Sequence, residues 1–139
     1  MTKNFSKSEF DCNDESEMPL DVFYNIVKVA NQLQTLRDYI GKPIKINSAY
    51  RSEAYNAKIG GAHKIDLKSG KRIETSQHCF GKAADIVIKG MTPMEVYITL
   101  ELLIEKGEIL QGGLGMYNSF VHYDIRGTKA RWNNQKNKL

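Results

Sequence analysis

The sequence predicts one small domain that mixes helices with strands, and three observations predict it. Apolar residues recur every three or four positions over residues 20–39 (Val22, Phe23, Ile26, Val29, Ala30, Leu33, Leu36), which marks one buried helical face. A second helical pattern runs from Thr92 to Lys106, and residues 44–49, 83–88 and 120–126 read as strands. With 139 residues, 41% hydrophobic and 26% charged, the chain is sized for a single core-bearing domain. That domain is placed at residues 1–132, with 133–139 as a disordered polar tail.

Residues 1–18 read as an irregular arm that Phe5 and Phe10 can anchor. Pro19 suits the first turn of the long helix and Gly41 its end. The alternation of residues 44–49 indicates a strand whose end delivers Tyr50 and Arg51 to one sheet edge, and a short helical pattern then runs from Arg51 to Ala57. Residues 59–75 turn to glycine, lysine and polar types and are read as a long loop, a length often functional in a compact domain. His63 lies there as an exposed histidine, a ligand or a proton shuttle. Residues 83–88 form a nearly continuous apolar run between Gly81 and Gly90, the mark of a buried strand. Thr92-Pro93-Met94-Glu95 is a helix start with a capping threonine, an early proline and a glutamate at the third position. The glycines of Gly112-Gly113-Leu114-Gly115 are expected to allow a tight turn or a close backbone approach to bound peptide.

Composition excludes several classes. No apolar run is long enough to cross a bilayer, so no membrane association is expected, and the first residues lack the apolar core of a secretory signal. Synthesis in the cytoplasm follows as an expectation. Two cysteines, Cys12 and Cys79, do not make a disulfide framework and are expected as free thiols. Lys68-Ser69-Gly70-Lys71 lacks the glycine spacing of a nucleotide loop. The formal charge of +4 favours an anionic partner such as a bacterial cell wall. It would suit nucleic acid equally, but no helix-turn-helix signal or interleaving of aromatic and basic residues accompanies it. A monomer is expected.

The chemistry concentrates in two segments that hold two of the three histidines. Asp85 interrupts the apolar run, and a buried carboxylate is costly unless it is paired or binds a metal. In the later segment Val121, Tyr123 and Ile125 point one way along a strand, and His122 and Asp124 the other. His78, Asp85 and His122 make a His2Asp set with one coordination position to spare, the catalytic rather than the structural zinc pattern. The residues alone leave open a plainer account, in which His78 caps a loop, Asp85 meets an arginine and His122 is a satisfied core histidine.

Several motif blocks occur together: Ser48-Ala49-Tyr50-Arg51, then Ser76-x-His78-x-x-Gly81-x-Ala83-x-Asp85, then Gly112-Gly113-Leu114-Gly115-x-Tyr117-x-x-Phe120-Val121-His122-x-Asp124-x-Arg126-Gly127. In this order they resemble the zinc D-Ala-D-Ala carboxypeptidase-like peptidases, in the subgroup with Phe-Val-His-x-Asp. Those peptidases belong to the group shared with lysostaphin-type peptidases and the hedgehog signalling domain. The resemblance runs from about Phe5 to Trp132. It implies an α+β fold in which a small antiparallel sheet carrying the zinc site packs against two main helices. It implies Zn2+ on His78, Asp85 and His122, and hydrolysis of a stem-peptide or cross-link bond in bacterial peptidoglycan.

Arg51 matches a position whose arginine steadies the carbonyl oxygen. Ser76, Tyr50 and Arg126 fall where substrate contacts are expected, with Arg131 a further anchor for a substrate carboxylate. Residues 59–75 would then form one wall of the groove, and Trp132 would pack over the fold or form another. One departure stands out, because many relatives carry an acid three residues before the last zinc histidine as general base, and Ser119 occupies that position here. Asp124, on the same strand face as His122, is read as the replacement base; the alternative is that it orients His122 or pairs with Arg126 or Arg131. The expected function is a zinc-dependent peptidoglycan peptidase, released to the wall by phage-directed lysis. The alternative is a zinc-binding but inactive cell-wall-binding or structural protein.

Overall fold

A computed structural model describes residues 1–136. Helix α1 spans Leu20–Ile40 and buries Val22, Ile26, Val29, Ala30, Leu33 and Leu36, the stripe expected from their spacing. Pro19 sits one position earlier than anticipated, as the capping residue whose carbonyl accepts from Phe23 N–H. Gly41 closes the helix at φ 67°, a conformation glycine adopts without strain. Short helix α2 covers Glu53–Lys58, capped by the Ser52 side chain, and α3 covers Pro93–Glu105 with the anticipated capping box of Thr92 and Glu95.

Seven strands follow the chain: β1 Ile44–Ser48, β2 His63–Ile65, β3 Arg72–Glu74, β4 Ala83–Ile88, β5 Gly113–Met116, β6 Val121–Asp124 and β7 Ala130–Asn133. Five form one sheet in the order β1-β4-β6-β5-β7. The β1–β4, β4–β6 and β5–β6 pairs are antiparallel as expected, whereas the edge pair β5–β7 is parallel, so the sheet is mixed. One sheet face packs Ile44, Ala84, Ile86, Ile88, Leu114, Val121 and Tyr123 into a single apolar cluster with α1 and α3. Phe5 and Phe10 of the N-terminal arm join the same cluster. The fold is α+β.

Three segments differ from the sequence reading. Residues 59–75 contain the β2–β3 hairpin, which pairs only with itself and turns where Asp66 accepts from Ser69 Oγ. Residues 113–116 are a strand rather than a turn. Residues 130–133 add β7, and Asn134 N–H bonds the Met116 carbonyl at 2.8 Å, so the tail expected from residue 133 is held to the sheet at its start. The rest of that expected tail, residues 137–139, lies outside the described residues.

Candidate metal centre and its groove

The face of the sheet away from the helices carries the site, and strand register builds it. Asp85 on β4 lies directly opposite His122 on β6, His122 opposite Gly115 on β5, and Gly115 opposite Trp132 on β7. An irregularity in β1 between Ile46 and Ser48 brings Ser48 opposite Asp85 at the other end of this row. Gly115 is required by its neighbour: a Cβ there would stand 2.3 Å from the Trp132 indole. The vacancy lets the indole lie across the row onto the His122 ring, with centroids 5.0 Å apart. His78 reaches the row from a 3-10 turn, Gln77–Phe80, capped by Ser76 Oγ accepting from His78 N–H. Gly81 ends that turn at φ 72°, tight against the Val22 carbonyl of α1.

His78, Asp85 and His122 are all buried, and each offers a ligand atom within 4.8 Å of the other two. His78 Nε2 and His122 Nδ1 both lie 3.2 Å from Asp85 Oδ1. The other nitrogen of each ring fixes the tautomer. His78 Nδ1 faces the Ala49 carbonyl at 2.7 Å, and a carbonyl only accepts, so Nδ1 carries the proton and Nε2 a lone pair. His122 Nε2 faces Asp124 Oδ2 at 2.6 Å and donates in the same way, which leaves the lone pair on Nδ1. Two nitrogen lone pairs and a carboxylate oxygen thus converge on one point, an arrangement that repels itself unless a cation or a proton sits among them. The donor set fits zinc, which takes imidazole nitrogen and carboxylate oxygen and leaves a position open when three protein ligands hold it.

The protonation tendencies agree with that reading. Burial and nearby cations push His78 below its ordinary value despite Asp85. Burial also opposes charge on His122, but hydrogen bonds to Asp124 and Asp85 outweigh it and raise its pKa. Of the two rings, His122 is therefore the one whose protonated form its neighbours favour. Burial would raise Asp85, yet the two imidazoles hold it well below the usual carboxylate range.

The trio opens onto a groove of about 490 Å³. Residues 59–62 and 75–77, the two roots of the hairpin, form one wall, to which residues 63–74 of the expected segment do not contribute, and Tyr117, Phe120, Arg126 and Trp132 form another. Tyr117 and Phe120 stack with centroids 4.4 Å apart, and Trp132 Nε1–H donates to Tyr117 Oη. Arg51 lines the groove and donates to Asp85 Oδ2 at 3.3 Å. Ser76 lines it too, its hydroxyl accepting from His78 N–H and keeping its own proton to donate. Arg126 reaches it with Nε and Nη2 committed to Asp124.

Three expectations need correction. Asp124 is fully buried and lies at the end of the His122 ring opposite Nδ1. Its oxygens also accept from Gly113 N–H, Arg126 N–H and the Arg126 guanidinium, and it does not line the groove. A carboxylate so enclosed, held far below its ordinary pKa by His122 and Arg126 against the effect of burial, orients a ring and has no route to a substrate proton. Tyr50 is a core residue behind the site, its backbone N–H bonded to Phe10, and lines no part of the groove. Arg131 is spent on Glu101, Gln111 and the Gly112 carbonyl.

His63 is exposed and outside the ligand cluster. Cys79 is also outside it, its thiol pushed up to about 11 by burial. Sequence reasoning missed the Ala49 carbonyl and Asn56. The first carries no side-chain signal, and the second is an ordinary polar residue of a short helix.

Two imidazoles and one carboxylate at the floor of a groove, each imidazole backed by a hydrogen-bond acceptor, could hold a single metal ion. The sequence match agrees: the peptidase M15 family matches residues 3–124, and the chain belongs to that family. The family implies a zinc metallopeptidase. No curated protein matches the chain. No helix among the described residues is long and apolar enough to cross a membrane.

Proposed function

We propose that the protein is a zinc peptidase that cleaves a peptide bond in the stem or cross-link of bacterial peptidoglycan, a setting in which a phage-encoded lytic enzyme would act. The observation that carries this reading is the convergence of His78 Nε2, Asp85 Oδ1 and His122 Nδ1 at the groove floor. Bound there, zinc would supply a Lewis acid and activate water at neutral pH. The chain's own residues do the rest. Ala49 and Asp124 hold the two rings in the tautomers that ligate. A guanidinium has five N–H groups, and Arg51 spends three on Ser48, Asn56 and Asp85, which leaves two on a side chain that lines the groove to suit the oxygen of a scissile carbonyl. Trp132, Tyr117 and Phe120 give an apolar surface for the peptide, and the Arg126 guanidinium over the Trp132 ring, whose Nη1 has no hydrogen-bond partner among the described residues, suits a stem carboxylate.

One observation favours a second reading, in which the site binds metal without turnover. Asp85 is the only carboxylate lining the groove among the described residues, so no second acid is placed as general base. Ser119 stands away from the groove, beside Ile86 and Val121. Elemental analysis together with mass spectrometry of digested muropeptides separates the readings. The peptidase reading expects about one zinc per chain and new amine termini that vanish with chelator and in His78→Ala. Stoichiometric zinc with intact muropeptides from every wall preparation would leave the binding reading standing.

A further inference from the structure

One buried side chain joins the hairpin wall of the groove to Arg51. Asn56, on α2, has no exposed surface and does not line the groove. Its Oδ1 accepts from Arg51 Nη1 at 3.3 Å, and its Nδ2 donates to the Ala62 carbonyl at 3.1 Å and to Glu74 Oε1 at 2.8 Å. Its backbone carbonyl accepts from Gly61 N–H at 2.8 Å. Ala62 and Glu74 are the two feet of the β2–β3 hairpin. The amide that grips both feet therefore also holds the guanidinium that contacts Asp85.

We infer that Asn56 is the positioning residue for Arg51, setting the plane of the guanidinium and mounting it on the hairpin wall. Substrate that presses on that wall and the arginine that meets its carbonyl then share one rigid support. What Arg51 does to substrate rests on the peptidase reading; its positioning is a property of the free protein.

Gly61 supplies an independent handle. A Cβ there would lie 1.8 Å from Asn56 Oδ1 and 2.5 Å from its Cγ. The glycine is outside the positive-φ region, so alanine strains no backbone and acts by displacing the amide. Gly61→Ala thus moves Asn56 off Arg51 without altering Arg51 itself.

The test follows the Arg51 Nε–Hε resonance by nitrogen-15 NMR in wild type, Asn56→Ala, Gly61→Ala and the double variant. A discrete, slowly exchanging resonance is expected in wild type. Solvent exchange should quicken by about tenfold or more in each single variant, with no further change in the double, because both act through one contact. In turnover, kcat should fall about 10–100-fold with a smaller change in KM, and Asn56→Ala should add nothing in an Arg51→Ala background. Gly61→Ala keeps the test available should Asn56→Ala not fold. An Arg51 resonance that is already averaged in wild type, or unmoved in Gly61→Ala, overturns the inference. If the resonance responds as described while wild type cleaves nothing, the positioning stands and the peptidase reading fails.

Discussion

Asp124→Asn separates a carboxylate that orients a ligand from one that takes a proton. The substitution keeps the shape of the side chain but gives it one carbonyl and one NH2. In the wild type Oδ1 accepts from Gly113 N–H, Arg126 N–H and Arg126 Nε, whereas Oδ2 accepts from His122 Nε2, Arg126 Nη2 and, at 3.2 Å, the shared Arg126 Nε. At Oδ1 the NH2 would meet three donors that cannot become acceptors, whereas at Oδ2 His122 can move its proton, so the carbonyl takes Oδ1 and the NH2 faces His122. Two N–H groups cannot share that contact, and the ring moves its proton to Nδ1, the atom that faces Asp85. Zinc must then bind the disfavoured tautomer, and its affinity should drop about 10–100-fold, or about 1.4–2.7 kcal/mol. Folding should lose about 1–2 kcal/mol, because the Arg126 partner is 30% exposed and rehydrates in part. Chelator competition gives the zinc affinity, and long-range nitrogen-15 spectra of the ring give the tautomer. Zinc affinity within about twofold of wild type, an unchanged tautomer and lost turnover would return Asp124 to the role of base and refute the argument.

Three further outcomes follow from the same geometry. His122 has a raised pKa, so metal-free protein near pH 6.5 still carries its proton, which zinc must displace; calorimetry in buffers of different ionisation enthalpy should show about one proton released per metal, and affinity that fails to weaken below that pH would count against the assignment. Zinc at about one hundred times its Kd should add about 2.7 kcal/mol of stability and raise the thermal midpoint by roughly 10 °C, a shift that chelator reverses and that His78→Ala or Asp85→Asn should abolish. Gly115→Ala forces the Trp132 ring away from His122 and should cost about 1–3 kcal/mol with red-shifted tryptophan emission; unchanged emission and midpoint would show that the indole does not depend on that vacancy.

Long apolar periods were legible and short polar strands were not. Helices α1 and α3, strand β4 and the alternating faces of β6 follow from spacing, because each buries a continuous side in the core. Strands β2, β3 and β7 bury no such side, and β5 is half glycine, so none shows an apolar alternation. Within the site, the residue types of the trio could be named before the fold was known. The choice between the two readings of Asp124 could not be made, since its enclosure depends on β5 bringing the Gly113 N–H onto the carboxylate and on the Arg126 side chain folding back over it. The inward turn of Tyr50 follows the irregularity at the end of β1, which breaks the alternation a strand reading assumes.

The order in which the groove becomes available along the chain has its own consequence. The three metal-facing residues are all present once residue 122 has been made, but the indole that roofs His122 comes ten positions later, on a parallel edge strand. A chain cut before β7 would keep all three ligands and leave one side of the site unroofed. Metal would reach such a chain by a wider door, and removal of residues 130–136 should show it as faster zinc exchange from an otherwise intact sheet.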